Sequence, residues 1–436
     1  MSWVACIGAA TRPRVALLPW GDVFEDWLDP LGITPEVFRD ELTGSWMFGY
    51  VDALRAAGVD TSIVCITTRV AAPERWTHRP TGATLHLLPP GTGFAPVARR
   101  MLREPVGGRR DIGTLTGAGL RHVAPYLATP VVALARLLRA ESCAAVLCQE
   151  YETPRFDACI AVGRLTKLPV FATFQGGDYQ DSRLERPLRS LTIGRAAGLI
   201  VATTTEIERI RTRYRLPAER IAQIFNPVDV DLWHPRGRLE ARAELGVADD
   251  AQLVVWHGQL QLHRKGLDVL LDAWAEITRA RPGRNRQLML VGAGADASEV
   301  RRRIADQQPG SVRLLDGWLN DRGRIAHVLS AADVYAFPSR HEGFPLAPIE
   351  AMACGLPVVA ADAQGIADIL DGGEAGGGVI VPRDDPRALA SELAGLLDDG
   401  ERRRRLGGRA RLRAEAAFSL DAVGGQLRRV LLRERQ

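Results

Sequence analysis

The feature that most restricts the fold is a repeating contrast between two kinds of segment. Short runs that are apolar at almost every position ("RVALLPW", "TSIVCI", "LHLLPP", "AAVLCQ", "PVFATF", "GLIVAT") alternate with longer amphipathic stretches such as "SWMFGYVDALRAAG" and "PYLATPVVALARLLRAE". The rhythm returns in the second half with "QLVVWHG", "RQLMLVG", "SVRLLDG", "DVYAFPS", "LPVVAAD" and "GGVIVP". A strand with one wet face alternates polar and apolar side chains. One that is apolar throughout is covered on both faces, the condition of a parallel sheet flanked by helices. Strand–helix alternation in both halves therefore predicts an α/β chain of two doubly wound domains. A length of 436 residues with 46% apolar composition fits two domains of roughly 200 residues better than one.

The join falls near "FNPVDVDLWHPRGRLEARAELGVADD", residues 225–250, which carries two prolines, many charges and no strand pattern. We expect a first domain over 1–235, a second over 236–415, and a final helix over 416–436 from "FSLDAVGGQLRRVLLRERQ". Open α/β sheets bind ligands outside the carboxyl ends of their strands, so the cleft between two such domains is the expected site. Two segments break the rhythm, residues 21–44 and the Arg- and Gly-rich 91–118. Long excursions of this kind are usually functional or disordered.

A net charge of +4 is mild for this length, and no nucleic-acid-binding signature is present. The six cysteines form no C-x-x-C pair and sit mostly in apolar runs, so they read as small buried hydrophobes rather than a disulfide framework or zinc site. The N-terminus lacks the basic and long apolar regions of a signal peptide, and no apolar stretch reaches the roughly 18 residues of a spanning helix. We expect a cytoplasmic protein.

Three stretches carry candidate chemistry. In "LMLVGAGADASEV", Gly292, Gly294 and Ala297 follow a strand and open a helix, with Asp316 ending the next strand. That is formally a dinucleotide fingerprint, and it leaves an NAD-dependent oxidoreductase as an alternative. The fingerprint normally opens its domain, whereas "QLVVWHG" already precedes it. A turn lining the cleft of another nucleotide ligand is the better reading. In "WHGQLQLHRKGLDVLLDAW", a strand ends at Gly258 and a loop carrying His263, Arg264 and Lys265 leads into a helix from about Gly266. Cations before a helix N-terminus suit phosphate. In "SRHEGFPLAPIEAMACGLPVV", Glu342 and Glu350 flank a turn with Gly343 and Pro345. A helix starting near Leu346, with Pro348 in its first turn, puts Glu342 before the helix and Glu350 on it. The N–H groups of Gly343, Phe344 and Leu346 are then available to an anion, and the carboxylates to hydroxyls on either side.

These residues carry a resemblance. "SRHEGFPLAPIEAMACGLPVVA" is similar to the E-x7-E signature of retaining glycosyltransferases of family 4, which have the GT-B fold. "GQLQLHRKGLDVLL" resembles that family's phosphate loop and "FNPVDVDLWHP" its interdomain segment. The match is specific over about 225–420 and weak before it. The resemblance implies a GT-B architecture: two Rossmann-like domains facing across a cleft, acceptor bound by the first and nucleotide-sugar by the second, with a C-terminal helix crossing back to the first domain. It implies sugar transfer from a nucleoside-diphosphate sugar to an acceptor hydroxyl (saccharide, lipid-linked or small-molecule), with the anomeric configuration retained. Glu342, Lys265 and Arg264 would be catalytic. Glu350 would bind ribose, and Gly343, Phe344, Pro345, Leu346, Gly258, Gln259, Gly292 and Gly294 would complete the donor site. No metal or other cofactor would be obligatory.

Departures are visible too. Gln259 stands where the family's phosphate loop usually has Arg, and Pro227 where the interdomain motif has Gly. "PWGDVFEDW" replaces a Gly-Gly loop after the first strand, and Gln175 replaces a frequent His after "PVFATF". The glutamine changes leave a non-catalytic nucleotide-sugar binder as a further alternative. On the acceptor side the candidates are Gln175, Gly176, Gly177, Asp178, Trp20 and Gly21, with Asp22, Glu25, Asp26 and Trp27 beside them, aromatic and acidic side chains that either suit a sugar or amino-bearing acceptor or only cap the domain. Arg99, Arg100, Arg103, Arg109 and Arg110, and the run "ERRRRLGGRARLR", read as solvated charge. An anionic acceptor or peripheral contact at the inner membrane face is the alternative for the first cluster.

Overall fold

The computed structural model describes residues 12–19, 21–29, 32–43, 45–94, 126–174, 176, 185–317 and 321–434. Two sheets organise them. The first contains β1 (Arg14–Leu18), β2 (Asp60–Ile66), β3 (Glu74–Thr77), β4 (Thr84–Leu88), β5 (Cys143–Cys148), β6 (Val170–Phe174), β7 (Gly198–Val201) and β8 (Ile221–Gln223). Its order is β3-β4-β2-β1-β5-β6-β7-β8. All pairings are parallel except β3 with β4. The four-residue edge strand β3 is largely exposed and carries Glu74 and Arg75, which discourages pairing with another chain. The second sheet contains β9 (Gln252–His257), β10 (Arg286–Gly292), β11 (Val312–Asp316), β12 (Val334–Phe337), β13 (Val358–Ala361) and β14 (Gly378–Val381). It is fully parallel in the order β11-β10-β9-β12-β13-β14.

The apolar strands are buried on both faces, as their composition requires. In β1, Val15 and Leu17 join one core while Ala16 and Leu18 join the other. In β9, Leu253 and Val255 face one core, Val254 and Trp256 the opposite one. Strand order reverses between β1 and β5 in the first sheet and between β9 and β12 in the second. These are the two topological switch points, where the loops leaving adjacent strands diverge and open a crevice.

The helix Leu420–Leu432 lies on the helix Ser45–Ala56 of the first sheet's layer. Gly424 permits the close approach, since a Cβ there would meet the Ala53 carbonyl oxygen at 2.1 Å. Arg428 donates from Nη1 to the Ala57 carbonyl at 2.8 Å. The chain thus passes between the two sheets twice, and the two crossings run side by side. Val228 N–H donates to the Phe418 carbonyl at 2.7 Å, and Val228 and Ser419 form a parallel bridge. Arg411 was expected to be solvated charge, but it is structural. Its Nη1 donates to the carbonyls of Val230, Trp233 and Ala353 at 3.1, 2.7 and 2.6 Å, fastening one crossing to the second body.

The acidic stretch after β1 makes the local contacts that were the alternative to acceptor binding. Glu25 accepts from Thr67 Oγ1 at 2.7 Å and from the N–H and hydroxyl of Thr68 at 2.8 Å. Asp26 accepts from the Asp22 N–H at 2.7 Å. Gly21, at φ +59°, leaves room for that contact, because a Cβ would come within 2.6 Å of Asp26 Oδ2. Gly21, Glu25 and Asp26 are therefore spent on local structure. Asp22 pairs with Arg155, yet burial outweighs this partner and raises its pKa. Cys65, Cys143, Cys148, Cys159 and Cys354 are buried and free, and burial pushes the Cys65 thiol up to about 12. Cys6, Trp20 and the Arg99–Arg110 cluster lie outside the described residues.

One buried side chain makes stability pH-dependent. His78 stacks on Phe48 with ring centroids 4.1 Å apart, and its ring nitrogens contact Thr81 Oγ1 at 2.7 Å and the Leu42 carbonyl at 3.0 Å. The Leu42 carbonyl can only accept, so Nε2 carries the proton and Nδ1 accepts from Thr81. Burial lowers the pKa from 6.5 to about 4. The unfolded chain therefore takes up the proton first as pH falls. His78's contribution is complete above pH 6.5 and is lost on the way down to about 4. Urea unfolding at neutral and at mildly acidic pH checks this. We expect His78→Gln to be less stable at neutral pH and to lose less on acidification; an equal loss in both proteins contradicts it.

Candidate functional site

The second switch point is built from two loops. One leaves β9 at His257 and runs through 258–266 into the helix Leu267–Ala280. The other leaves β12 at Phe337 and runs through 338–346 into the helix Ala347–Ala353, which has proline in its first turn as expected. The loops touch. Gly266 sits at φ +64°, and a Cβ there would lie 2.0 Å from the Pro338 carbonyl oxygen. Only glycine combines this backbone conformation with this approach. Arg340 joins the loops further. Its N–H donates to the Arg264 carbonyl at 3.0 Å and its Nη1 to the His263 carbonyl at 2.5 Å. Its guanidinium also grips Asp268 with two bonds, 2.7 and 2.9 Å, and reaches Asp384. Burial works to raise the Asp268 pKa, but Arg340's hydrogen bonds and charge outweigh it and hold the carboxyl below its usual range.

Glu342 and Glu350 each hold a basic side chain from the facing β9 strand end and loop. Lys265 Nζ donates to Glu342 Oε1 at 2.8 Å. His257 Nε2 donates to Glu350 Oε2 at 2.9 Å. The Lys265 side chain is 20% exposed and that of Glu342 8%, so this pair is shielded without being sealed. His257 Nδ1 is buried with no hydrogen-bond partner among the described residues. Arg264 is exposed and forms no ion pair among the described residues, and Gln259 is exposed as well.

A cavity of ≈ 250 Å³ opens between the loops. His257, Gly258, Lys265, Glu342, Pro345 and Leu346 line it, together with Asn226 from the first crossing. Phe344 lends this wall its side chain in a different direction. Its ring stacks on Phe225 at 5.4 Å and lies 6.2 Å from Phe418, so it anchors the loop to both crossings. Asn226 Nδ2 donates to the Phe344 carbonyl at 3.4 Å.

Gly292 and Gly294 reach the site only through the loop they support. A Cβ on Gly292 would lie 1.9 Å from the Gly258 oxygen, and one on Gly294 2.4 Å from the Leu260 oxygen. Leu260 N–H donates to the Ala293 carbonyl at 2.8 Å and Leu262 N–H to Asp296 Oδ2 at 2.8 Å. The fingerprint's glycines are thus explained by backbone packing under the 258–262 loop. It follows β10, beside the switch point rather than at it, and its acidic partner Asp316 is taken by Arg301. The dinucleotide reading is corrected accordingly.

From the first domain, Gly176 arrives directly against the site. At φ +92°, its missing Cβ would sit 2.4 Å from the Gly343 Cα. Gln175, Gly177 and Asp178 lie outside the described residues. Sequence reading missed His257, Arg340 and Asn226. A histidine closing an apolar strand directly before Gly258 was the available signal for the first.

Comparison with known proteins covers both halves of the chain. Residues 251–399 match the family described as Glycosyl transferases group 1, and residues 46–232 match Glycosyltransferase Family 4. A D-inositol 3-phosphate glycosyltransferase of Kineococcus radiotolerans is 35% identical over 233 residues, 50% of this chain and 53% of the relative. The protein of the same description from Corynebacterium glutamicum is 33% identical over 258 residues, 57% and 60% of the two chains. The chain thus spans between half and three-fifths of these relatives' lengths. Among solved structures, a sucrose-phosphate synthase from Thermosynechococcus elongatus superposes with TM-score 0.65 at 23% identity, covering 97% of this chain and 100% of the other. The Anabaena protein HepE, solved in complex with UDP, gives TM-score 0.67 at 16% identity over 96% and 99%. These last two likenesses concern the fold: paired Rossmann-like domains of the GT-B kind.

Proposed function

The chain belongs to glycosyltransferase family 4, and from that premise we propose that it is a retaining enzyme moving a sugar from a nucleoside-diphosphate sugar to an acceptor hydroxyl. The observation that carries this reading is the pairing of both motif glutamates with nitrogen donors across the second switch point, Lys265–Glu342 and His257–Glu350. A crevice with paired charges at the carboxyl ends of β9 and β12 suits a ligand that has both anionic phosphates and neutral hydroxyls. Lys265 and the exposed Arg264 meet the diphosphate, while Glu350 takes the ribose hydroxyls. Glu342 and the Gly343 and Phe344 N–H groups take the sugar; Pro345 and Leu346 shape the wall, and Gly258 and Gln259 border the phosphates.

In the proposed step, the bond between the anomeric carbon and the diphosphate oxygen breaks as the acceptor oxygen approaches on the same face. The acceptor's proton passes to the departing phosphate oxygen. Negative charge grows on the diphosphate, and Lys265 stabilises it where it develops. Cationic side chains thus supply what a metal would, so we propose that none is obligatory; activity after chelator treatment tests this. HepE was solved with UDP, and the two relatives are named for inositol 3-phosphate. Uridine donors and a phosphorylated polyol acceptor are therefore the first pair to try. Release of nucleoside diphosphate across a donor panel tests the function. Neither release nor donor binding with any member would overturn it.

Two substitutions probe the assignments. Glu350→Ala removes charged hydrogen bonds to ribose, so the donor KM is expected to rise about 10- to 100-fold with a smaller change in kcat. An unchanged KM removes Glu350 from the donor site. Gly176→Ala drives a methyl group into the Gly343 backbone and holds the domains apart. A displacement of about 1 Å costs on the order of 10²-fold in kcat/KM. At φ +92° the alanine also costs about 1 kcal/mol, a few degrees in Tm, and full activity would show that the Gly176 contact is dispensable.

A further inference from the structure

Away from the cleft, at the amino ends of β6 and β7, lies an open cavity of ≈ 560 Å³. Five cations line it: Arg164, Lys167, Arg195, Arg220 and Arg433. None of its lining residues is acidic, and none of the five forms an ion pair among the described residues. Among the described residues Arg195 and Arg220 donate only to backbone carbonyls, Arg195 to Leu191 at 3.3 Å and Arg220 to Gly194 at 3.1 Å and to Ala196. Glu219, beside Arg220, is exposed but outside the lining, and Glu434, beside Arg433, is taken by Arg428 at 3.0 Å. For a chain whose whole net charge is +4, this is a marked concentration.

The basic character continues over the adjoining helical layer. The helices Val131–Ala140, Pro154–Thr166 and Arg186–Ile193 pack side by side. They expose Arg136, Arg139 and Arg186 in addition to Arg164. Their single acidic residue, Asp157, is buried and held by Arg189 at 2.9 Å. Leucines stand among these cations. Leu165 is 55% exposed, Leu191 52% and Leu188 40%. Leu165 adjoins Arg164, and the Leu191 carbonyl holds Arg195, so exposed apolar and cationic groups lie close together. A small anion in the cavity would leave the leucines in water. Cations for headgroups beside leucines for the acyl boundary are the composition of a surface that lies on a membrane. Among the described residues no helix is long and apolar enough to cross one.

We propose that this face of the first domain docks on an anionic phospholipid bilayer, its cations on lipid phosphates and its leucines at the acyl boundary. The test is flotation of the full chain with vesicles of phosphatidylcholine alone or with one third phosphatidylglycerol, at low and high salt. Binding should require phosphatidylglycerol and weaken as salt is raised. Arg164→Glu with Arg195→Glu, and separately Leu188→Ser with Leu191→Ser, should each weaken it about tenfold or more. All four positions lie at the surface, so unchanged thermal unfolding should accompany both. Equal binding to both vesicles, binding to neither, or full binding by the folded charge-reversal variant overturns the proposal. So does a mobility shift with duplex DNA in the absence of vesicle binding.

Discussion

In Lys265→Ala, turnover at saturating donor is expected to fall about 10²- to 10³-fold, the usual loss when one group placed against developing charge is removed. Two physical effects coincide. The leaving diphosphate loses its nearest fixed cation, and Glu342, only 8% exposed, is left as an unpaired carboxylate facing it. The two are separable. If Lys265 served only to neutralise Glu342, adding Glu342→Gln would bring turnover up to that of Glu342→Gln alone, since the amide is close in shape and uncharged. If Lys265 acts on the diphosphate, the double variant stays well below that single variant. Single-turnover kinetics on both variants decide between the roles, and wild-type turnover in Lys265→Ala would remove it from the catalytic assignment.

The largest stability effect is expected at Arg242. It is fully buried and donates to five oxygens. Nε reaches the Ala331 carbonyl at 3.0 Å and Nη2 reaches Asp333 at 2.9 Å. Nη1 meets the Ala248, Asp249 and Ala251 carbonyls at 3.0, 2.8 and 2.8 Å. Asp333 in turn accepts from the Leu253 N–H at 2.8 Å at the head of β9. One guanidinium thus joins the helix Arg238–Leu245, the loop before β9 and the turn before β12. In Arg242→Leu the carbonyls stay buried without it, while Asp333 keeps Arg238 at 2.9 Å and Arg403 at 3.5 Å, a loss of about 3 kcal/mol. That corresponds to roughly 10 °C in Tm for a domain of this size. Calorimetry should show the later body unfolding earlier while the first changes little; a shift under about 2 °C contradicts the account.

The strand layout was legible because burial on both faces leaves no polar positions, and the contrast with amphipathic helices then marks each unit. The loop carrying Glu342 and Glu350 was legible for a related reason: Gly343 and Pro345 cannot continue a strand or sit inside a helix. His257 and Arg340 were not, because their partners are distant in the chain. Glu350 is 93 residues from His257, and Asp268 is 72 from Arg340. Nothing in "WHG" or "SRHE" states which side chain waits across the crevice. The acidic run after β1 left two readings open for the converse reason. A carboxylate bonded to a threonine and an N–H reads, in one dimension, like a carboxylate awaiting a ligand.

The side-by-side crossings at Val228 and Ser419 set how the two bodies can move. A single linker is a swivel and allows rotation about any axis. Two parallel linkers, bonded to each other and stacked through Phe225, Phe344 and Phe418, form a hinge with one axis along the pair. Rotation about that axis separates or joins Gly176 and Gly343 and does little else. The second body is then a leaf inserted into the first, hung on one edge, with two glycines as the stop against which it shuts.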